Sequence, residues 1–266
     1  MNAPPSASAP AVVLSRVPPE QLARYGPSFA AVAAGLGRAG VPFATVDSIY
    51  DLHDSDAGVA VLRGLAGGLI LLGWHYPRAL RWILARHGIA PNATRALHCL
   101  DARAAAPPAL VAQAQAILAN TPAARIAEPP AASSLQPRWY PVVDYSLCTN
   151  CMACMDFCLF GVYGVDSSET LRVVSPDQCR QDCPACARVC PTAAILFPKY
   201  ASNAAIAGAD AAPQAAKLDL SALFGKPAGL NQAAAERDAA LRKTAGPPPA
   251  ADKIERLSQD FDNLQL

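Results

Sequence analysis

Eight cysteines set within 43 residues constrain this chain more than any other feature. They read Cys148-Thr-Asn-Cys151-Met-Ala-Cys154-Met-Asp-Phe-Cys158 and, after twenty residues, Cys179-Arg-Gln-Asp-Cys183-Pro-Ala-Cys186-Ala-Arg-Val-Cys190-Pro191. The spacings are C-x2-C-x2-C-x3-C and C-x3-C-x2-C-x3-C-P. Three cysteines so spaced turn their sulfurs inward while backbone N–H groups point the same way, which suits one corner of an iron–sulfur cube. A fourth thiolate must then come from elsewhere in the chain. The N-terminus, Met-Asn-Ala-Pro-Pro-Ser-Ala-Ser-Ala-Pro, has neither a basic start nor an apolar core. Without a secretory signal, closely spaced cysteines point to metal rather than to disulfides.

This segment resembles a bacterial-type ferredoxin domain with two 4Fe–4S clusters, over residues 138–200. The resemblance implies cofactors and ligands. Cluster one would take Cys148, Cys151, Cys154 and Cys190, and cluster two Cys179, Cys183, Cys186 and Cys158. Two departures from the family pattern stand out. Three residues, not two, separate Cys179 from Cys183, and Leu159 follows Cys158 where the family usually has proline. The longer loop makes Cys179 the least regular ligand, and it implies unequal cluster environments with different potentials.

Two alternatives remain open on the residues themselves. Zinc in two four-cysteine sites would need only thiolates, but such sites usually pair two C-x2-C hairpins rather than four cysteines in tight series. The piece Cys179-x3-Cys183-x2-Cys186 also has the spacing by which radical S-adenosylmethionine enzymes hold a cluster with one open iron. Against it, Cys158 or Cys190 can close the fourth position, and too little chain follows to build the barrel of such enzymes.

The chain has 266 residues, enough for one to two domains. A net charge of +1 with no basic stripe argues against nucleic acid as a partner. The longest apolar stretch, residues 64–74, falls short of the roughly 20 residues a membrane span needs. The expectation is a cytoplasmic protein with no membrane span.

Residues 1–10 are Pro/Ala/Ser-rich and read as disordered. Residues 11–122 then alternate strand and helix. The expected strands are 11–15, 41–49, 68–74 and 93–100, and the expected helices are 18–38, 54–65, 77–87 and 107–120. That order favours a small, Rossmann-like α/β domain with a parallel sheet covered on both faces. It lacks G-x-G-x-x-G after its first strand and has no Walker A motif, so its only pointer to a nucleotide is the habit of open α/β sheets of binding ligands at their carboxyl edge.

Residues 123–137 read as a linker. In the α+β ferredoxin-like domain at 138–200, residues 139–144 can pair with 194–197, and residues 160–165 with 171–174. Residues 201–266 form a helical or irregular extension, with helices expected at 230–243 and 254–266 and an amphipathic stretch at 217–223. Cys99 reads as a small buried hydrophobe, and His53, His75, His87 and His98 show no ligand spacing. The aromatics at 139, 140, 145, 157, 160, 163, 197 and 200 read as core.

Two functions fit. The first is an electron-transfer protein or subunit that exchanges single electrons with a redox partner, an oxidoreductase, and is not itself an enzyme. The alternative is a catalytic oxidoreductase component whose α/β domain binds a flavin, nucleotide or thiol substrate. Residues 68–86 are faintly similar to segments of heterodisulfide-reductase-like proteins.

Overall fold

The computed structural model describes residues 9–91, 95–119, 122–130, 136–210 and 228–244. The expectations for residues 1–8, 217–223 and 254–266, and for the exact end of the helix at Asn120, lie outside them.

Two apolar runs, AVVLS and LILLG, form the centre of the first unit as β1 (Ala11–Ser15) and β3 (Leu69–Gly73). Every residue of both is buried. They are flanked by β2 (Ala44–Val46) and β4 (Leu97–Asp101) in a four-stranded parallel sheet of order β2-β1-β3-β4. A strand covered on both faces has no polar face to show, and so its sequence runs apolar without alternation.

Successive side chains still separate. Ala11, Val13, Leu69 and Leu71 join one core with α2 (Ala57–Arg63) and α3 (Pro77–Arg86). Val12, Leu14, Ile70 and Leu72 join another with α1 (Leu22–Arg38) and α4 (Pro107–Leu118). This is the doubly wound arrangement, with its topological switch between β1 and β3. Proline opens α3 and α4 at their first turn, where its missing N–H has no helical partner to lose. Gly35 lets α1 and α4 approach, since a Cβ there would lie 2.8 Å from Val111 Cγ2.

The strand expected over 41–49 is formed only at 44–46, because β2 is an edge strand with a partner on one side and Pro42 just before it. The stretch after α4 lies against the sheet rather than running clear of it. Ala124 N–H donates to Pro10 O at 2.8 Å, Ala124 and Ile126 pack on the core, and Glu128 accepts from Thr45 Oγ1.

The second unit contains β5 (Val142–Val143) paired antiparallel with β8 (Ile195–Leu196), and a hairpin of β6 (Tyr163–Val165) and β7 (Leu171–Val173). Between them lie two one-turn helices, α5 (Ala153–Phe157) and α6 (Ala185–Val189). The short α7 (Ala204–Ala207) follows β8, and α8 (Ala228–Thr244) packs on α6.

The two units share one core. Tyr140, Val142 and Leu196 belong to the same apolar cluster as α2 and α3. Arg78 on α3 donates to Asp144 Oδ2 at 2.6 Å and to Ala193 O at 2.8 Å, a pair that is almost fully buried. Asp51, wholly buried in the loop after β2, accepts from Ser48 Oγ at 2.6 Å, from Arg138 N at 2.7 Å and from Lys199 Nζ at 2.6 Å. Lys199 also reaches Glu20, in the connection after β1, at 2.7 Å. It thus inserts at the carboxyl edge of the sheet, where folds of this order ordinarily take a ligand.

Candidate metal centre

Each half of the second unit is built the same way: a loop, one helical turn, then a cysteine that leaves the helix. The first loop folds back through left-handed residues, Asn150 (φ 59°) and Met152 (φ 62°). Neither is glycine, so the conformation is held from outside. Asn150 does this with its own side chain, which donates from Nδ2 to Glu169 O at 2.8 Å and accepts from Leu171 N at 2.8 Å. Asn tolerates this region better than most residues. In the second loop the extra residue is taken up in a turn, with Cys183 N–H donating to Arg180 O at 3.1 Å and Asp182 left-handed at φ 62°.

Helix α5 carries Cys154 and ends at Cys158, and helix α6 carries Cys186 and ends at Cys190. The two terminal cysteines are extended in the same way, at φ −79°, ψ 114° and φ −72°, ψ 115°. Each therefore swings away from its own loop. Cys148, Cys151, Cys154 and Cys190 line one cavity, with Met152, Leu171 and Ile195. Cys158, Cys179, Cys183 and Cys186 line another, with Phe157, Phe160, Tyr163 and Arg237. Among the described residues, no three His, Cys, Asp or Glu side chains close round a single ion.

Burial governs the acidity of four of these thiols, Cys154, Cys179, Cys183 and Cys186. It pushes Cys154 up to about 12, with Cys190 and Cys148 adding to the rise. Burial likewise pushes Cys179, Cys183 and Cys186 upward, and the neighbouring thiols of the same cavity add to it. Buried thiolates crowded together in this way require a positive centre among them. A group of several iron ions meets that requirement and takes four thiolates, so the donors present fit an iron–sulfur cluster.

Two hydrogen bonds reach the sulfurs from outside the loops. Tyr163 Oη lies 3.1 Å from Cys186 Sγ, and Ala194 N–H donates to Cys190 Sγ at 3.3 Å. Tyr163 is fully buried, and its hydroxyl is held well above its ordinary range, by burial first and then by Cys186, Cys154 and Cys179. It therefore senses thiols of both cavities. Sequence reasoning placed Tyr163 in the core without a polar role and passed over Asn150. The one signal for the latter was an asparagine inside a cysteine loop.

The remaining candidates stay apart from these cavities. Cys99 packs beside the first core, and burial pushes its thiol up to about 12, which keeps it protonated and unreactive. His75 is buried against the edge of Tyr50, and neither ring nitrogen has a hydrogen-bond partner among the described residues. His87 bonds Asp54 through Nδ1 at 2.8 Å. Among the described residues no helix is long and apolar enough to cross a membrane.

No family model matches the chain, and no solved structure matches it. The chain is similar to an uncharacterized ferredoxin of Methanocaldococcus jannaschii, with 41% identity over 61 residues. That stretch is 23% of this chain and 41% of the relative, so the chain spans about two-fifths of the relative's length. With its cysteine loops and paired cavities, the chain carries a ferredoxin-like region.

Proposed function

We propose that this chain is an iron–sulfur electron-transfer protein or subunit that holds two 4Fe–4S clusters. Cys148, Cys151, Cys154 and Cys190 hold the first, and Cys158, Cys179, Cys183 and Cys186 hold the second. The observation that carries this reading is the crosswise division of eight thiols between two cavities, each taking its fourth cysteine from the other run. Four cysteines in tight series, rather than two C-x2-C hairpins, favour a cube over zinc at each site. A fourth thiol in each cavity leaves no iron position open, which speaks against the radical S-adenosylmethionine arrangement.

Each cluster, when bound, takes up and gives back one electron. The chain's own residues set the conditions for that exchange. The thiolates bind, and Trp139, Val143, Val162 and Phe197 keep water from the space between the sites. Tyr163 and the Ala194 N–H direct hydrogen-bond donors at sulfur, where they favour the more negative, reduced state.

A redox partner, an oxidoreductase, supplies or accepts the electron. The alternative of a flavin or nucleotide in the α/β unit finds its customary crevice occupied by Lys199, paired there with Asp51 and Glu20. The test is iron and acid-labile sulfide per chain in anaerobically prepared protein, with EPR spectra before and after reduction. About eight irons and a spin-coupled reduced signal are expected. Stoichiometric zinc without a reducible signal would refute the reading.

A further inference from the structure

The two cavities differ in what covers them. Helix α8 lies over the second one. Ala233 and Ala240, seven residues apart on one face and almost fully buried, form an apolar cluster with Cys183 and Ala185, against Phe157, Phe160 and Val189. Between them Arg237 lines the cavity itself, its guanidinium 4.8 Å from the centre of the Phe157 ring.

Polar contacts fix the helix in place. Arg188 Nε donates to Glu236 Oε2 at 2.6 Å, and Arg188 Nη2 donates to Tyr200 Oη at 2.8 Å. Lys243 pairs with Asp182 at 3.4 Å on the rim.

No residue of α8 lines the first cavity. Its wall includes Cys151, which is exposed, and the neighbouring Leu147, Thr149 and Asn150 are exposed as well. From Tyr145 to Met155 the chain carries no charged side chain.

From this asymmetry we infer that α8 is a cover over the second site, and that the uncharged rim at Leu147–Cys151 is the surface through which electrons pass between this chain and outside reactants. The inference rests on the two-cluster reading above. The step is outer-sphere: a reduced cluster loses one electron to an oxidant, the oxidant gains it, and no bond or proton is exchanged. A partner suited to this rim presents an uncharged contact face of its own to Leu147–Cys151, which is bordered by the exposed Glu169, whose carbonyl holds Asn150, and by Arg172 over the Tyr145 ring.

Two measurements on the loaded full chain test it. The first is iron release to an excess of a ferrous chelator. Half the iron should leave in a fast phase and half about tenfold more slowly. Ala233→Glu with Ala240→Glu places carboxylates in the apolar seam and should bring the slow half close to the fast one. Glu236→Ala, which removes the bonds from Arg188, Tyr200 and Gln232, should accelerate it part of the way. A single phase in the native chain, or a slow phase unmoved by either change, overturns the cover.

The second measurement is oxidation of the reduced protein at low salt by cationic tris-phenanthroline cobalt(III) and by anionic cobalt(III)–EDTA. Leu147→Glu should speed the cation and slow the anion by about two- to fivefold each. Arg242→Glu, a larger charge change on the exposed part of α8, should move neither. Equal response to the two substitutions, or response to Arg242→Glu alone, overturns the port. An iron content near four would instead remove the two-cluster reading, and the inference with it.

Discussion

Tyr50 and Tyr140 bind each other's backbone. Tyr50 Oη accepts from Tyr140 N at 2.7 Å and donates to Tyr140 O at 2.5 Å, while Tyr140 Oη donates to Tyr50 O at 2.8 Å. The rings stack with centroids 4.3 Å apart. Tyr50 belongs to the α/β unit and Tyr140 begins the ferredoxin-like region, so the boundary between the units is a fully satisfied polar contact inside a common core. Tyr50→Phe leaves two buried backbone groups of Tyr140 without partners and should cost about 1–3 kcal/mol. Tyr140→Phe removes one bond and should cost less. Urea unfolding followed by far-UV dichroism and by cluster absorbance should show both signals lost together in each variant.

Among the described residues Lys199 is the one side-chain cation bonded to the buried Asp51 carboxylate, beside the Arg138 backbone N–H, and it is itself largely buried. Lys199→Met strands that carboxylate and should destabilise the chain by about 3–5 kcal/mol. Adding Asp51→Asn should restore part of the loss. A double-mutant cycle in urea gives the coupling directly.

His75 makes stability depend on pH. Burial holds its pKa down to about 3 from 6.5, with Arg103 and Lys199 adding to the effect, while the nearby Pro198 backbone opposes it short of a formed hydrogen bond. In the unfolded chain the ring takes a proton below about pH 6.5, whereas in the folded chain it stays neutral until about pH 3. The unfolded state binds more protons between these values, so stability falls as pH falls through that window. Between about pH 8 and pH 5.5 the native chain should lose about 1.4 kcal/mol more than His75→Leu does. Parallel pH profiles for the two chains would settle the sign.

Tyr163→Phe removes the hydroxyl beside Cys186 and keeps the ring that fills the core. A cluster held by a sulfur without that donor is harder to reduce. The potential of the second site should shift negative by tens of millivolts, and the first should change less. Protein-film voltammetry reads both. An unchanged pair of potentials would show that the hydroxyl does not act on the cluster.

The strands at 11–15 and 69–73 were legible because a doubly covered strand writes its burial into every residue. The antiparallel pairs 142–143 with 195–196 and 163–165 with 171–173 followed from the order of apolar runs around the cysteines. What stayed hidden depends on partners far apart in the chain. Asp51 and Lys199 are 148 residues apart, and Arg188 and Glu236 are 48 apart. Helix propensity announced α8, but alanines at 233 and 240 do not say which surface they face. Likewise the Pro/Ala-rich composition of 123–130 reads as a linker, although its backbone is held by Pro10 and its side chains by the sheet.

Lys199 has a consequence for how the chain is made. The sheet of residues 11–101 leaves the ribosome first, with the crevice at its carboxyl edge still open. The cysteines follow, and the lysine that fills the crevice emerges after the last of them. Until then the second unit is braced against the α/β unit only from its first residues, through Arg138, Tyr140 and Asp144. Docking of the second unit is therefore complete only when every thiol has already been synthesised, which sets the closing of the fold at the moment when metal can first be received in full.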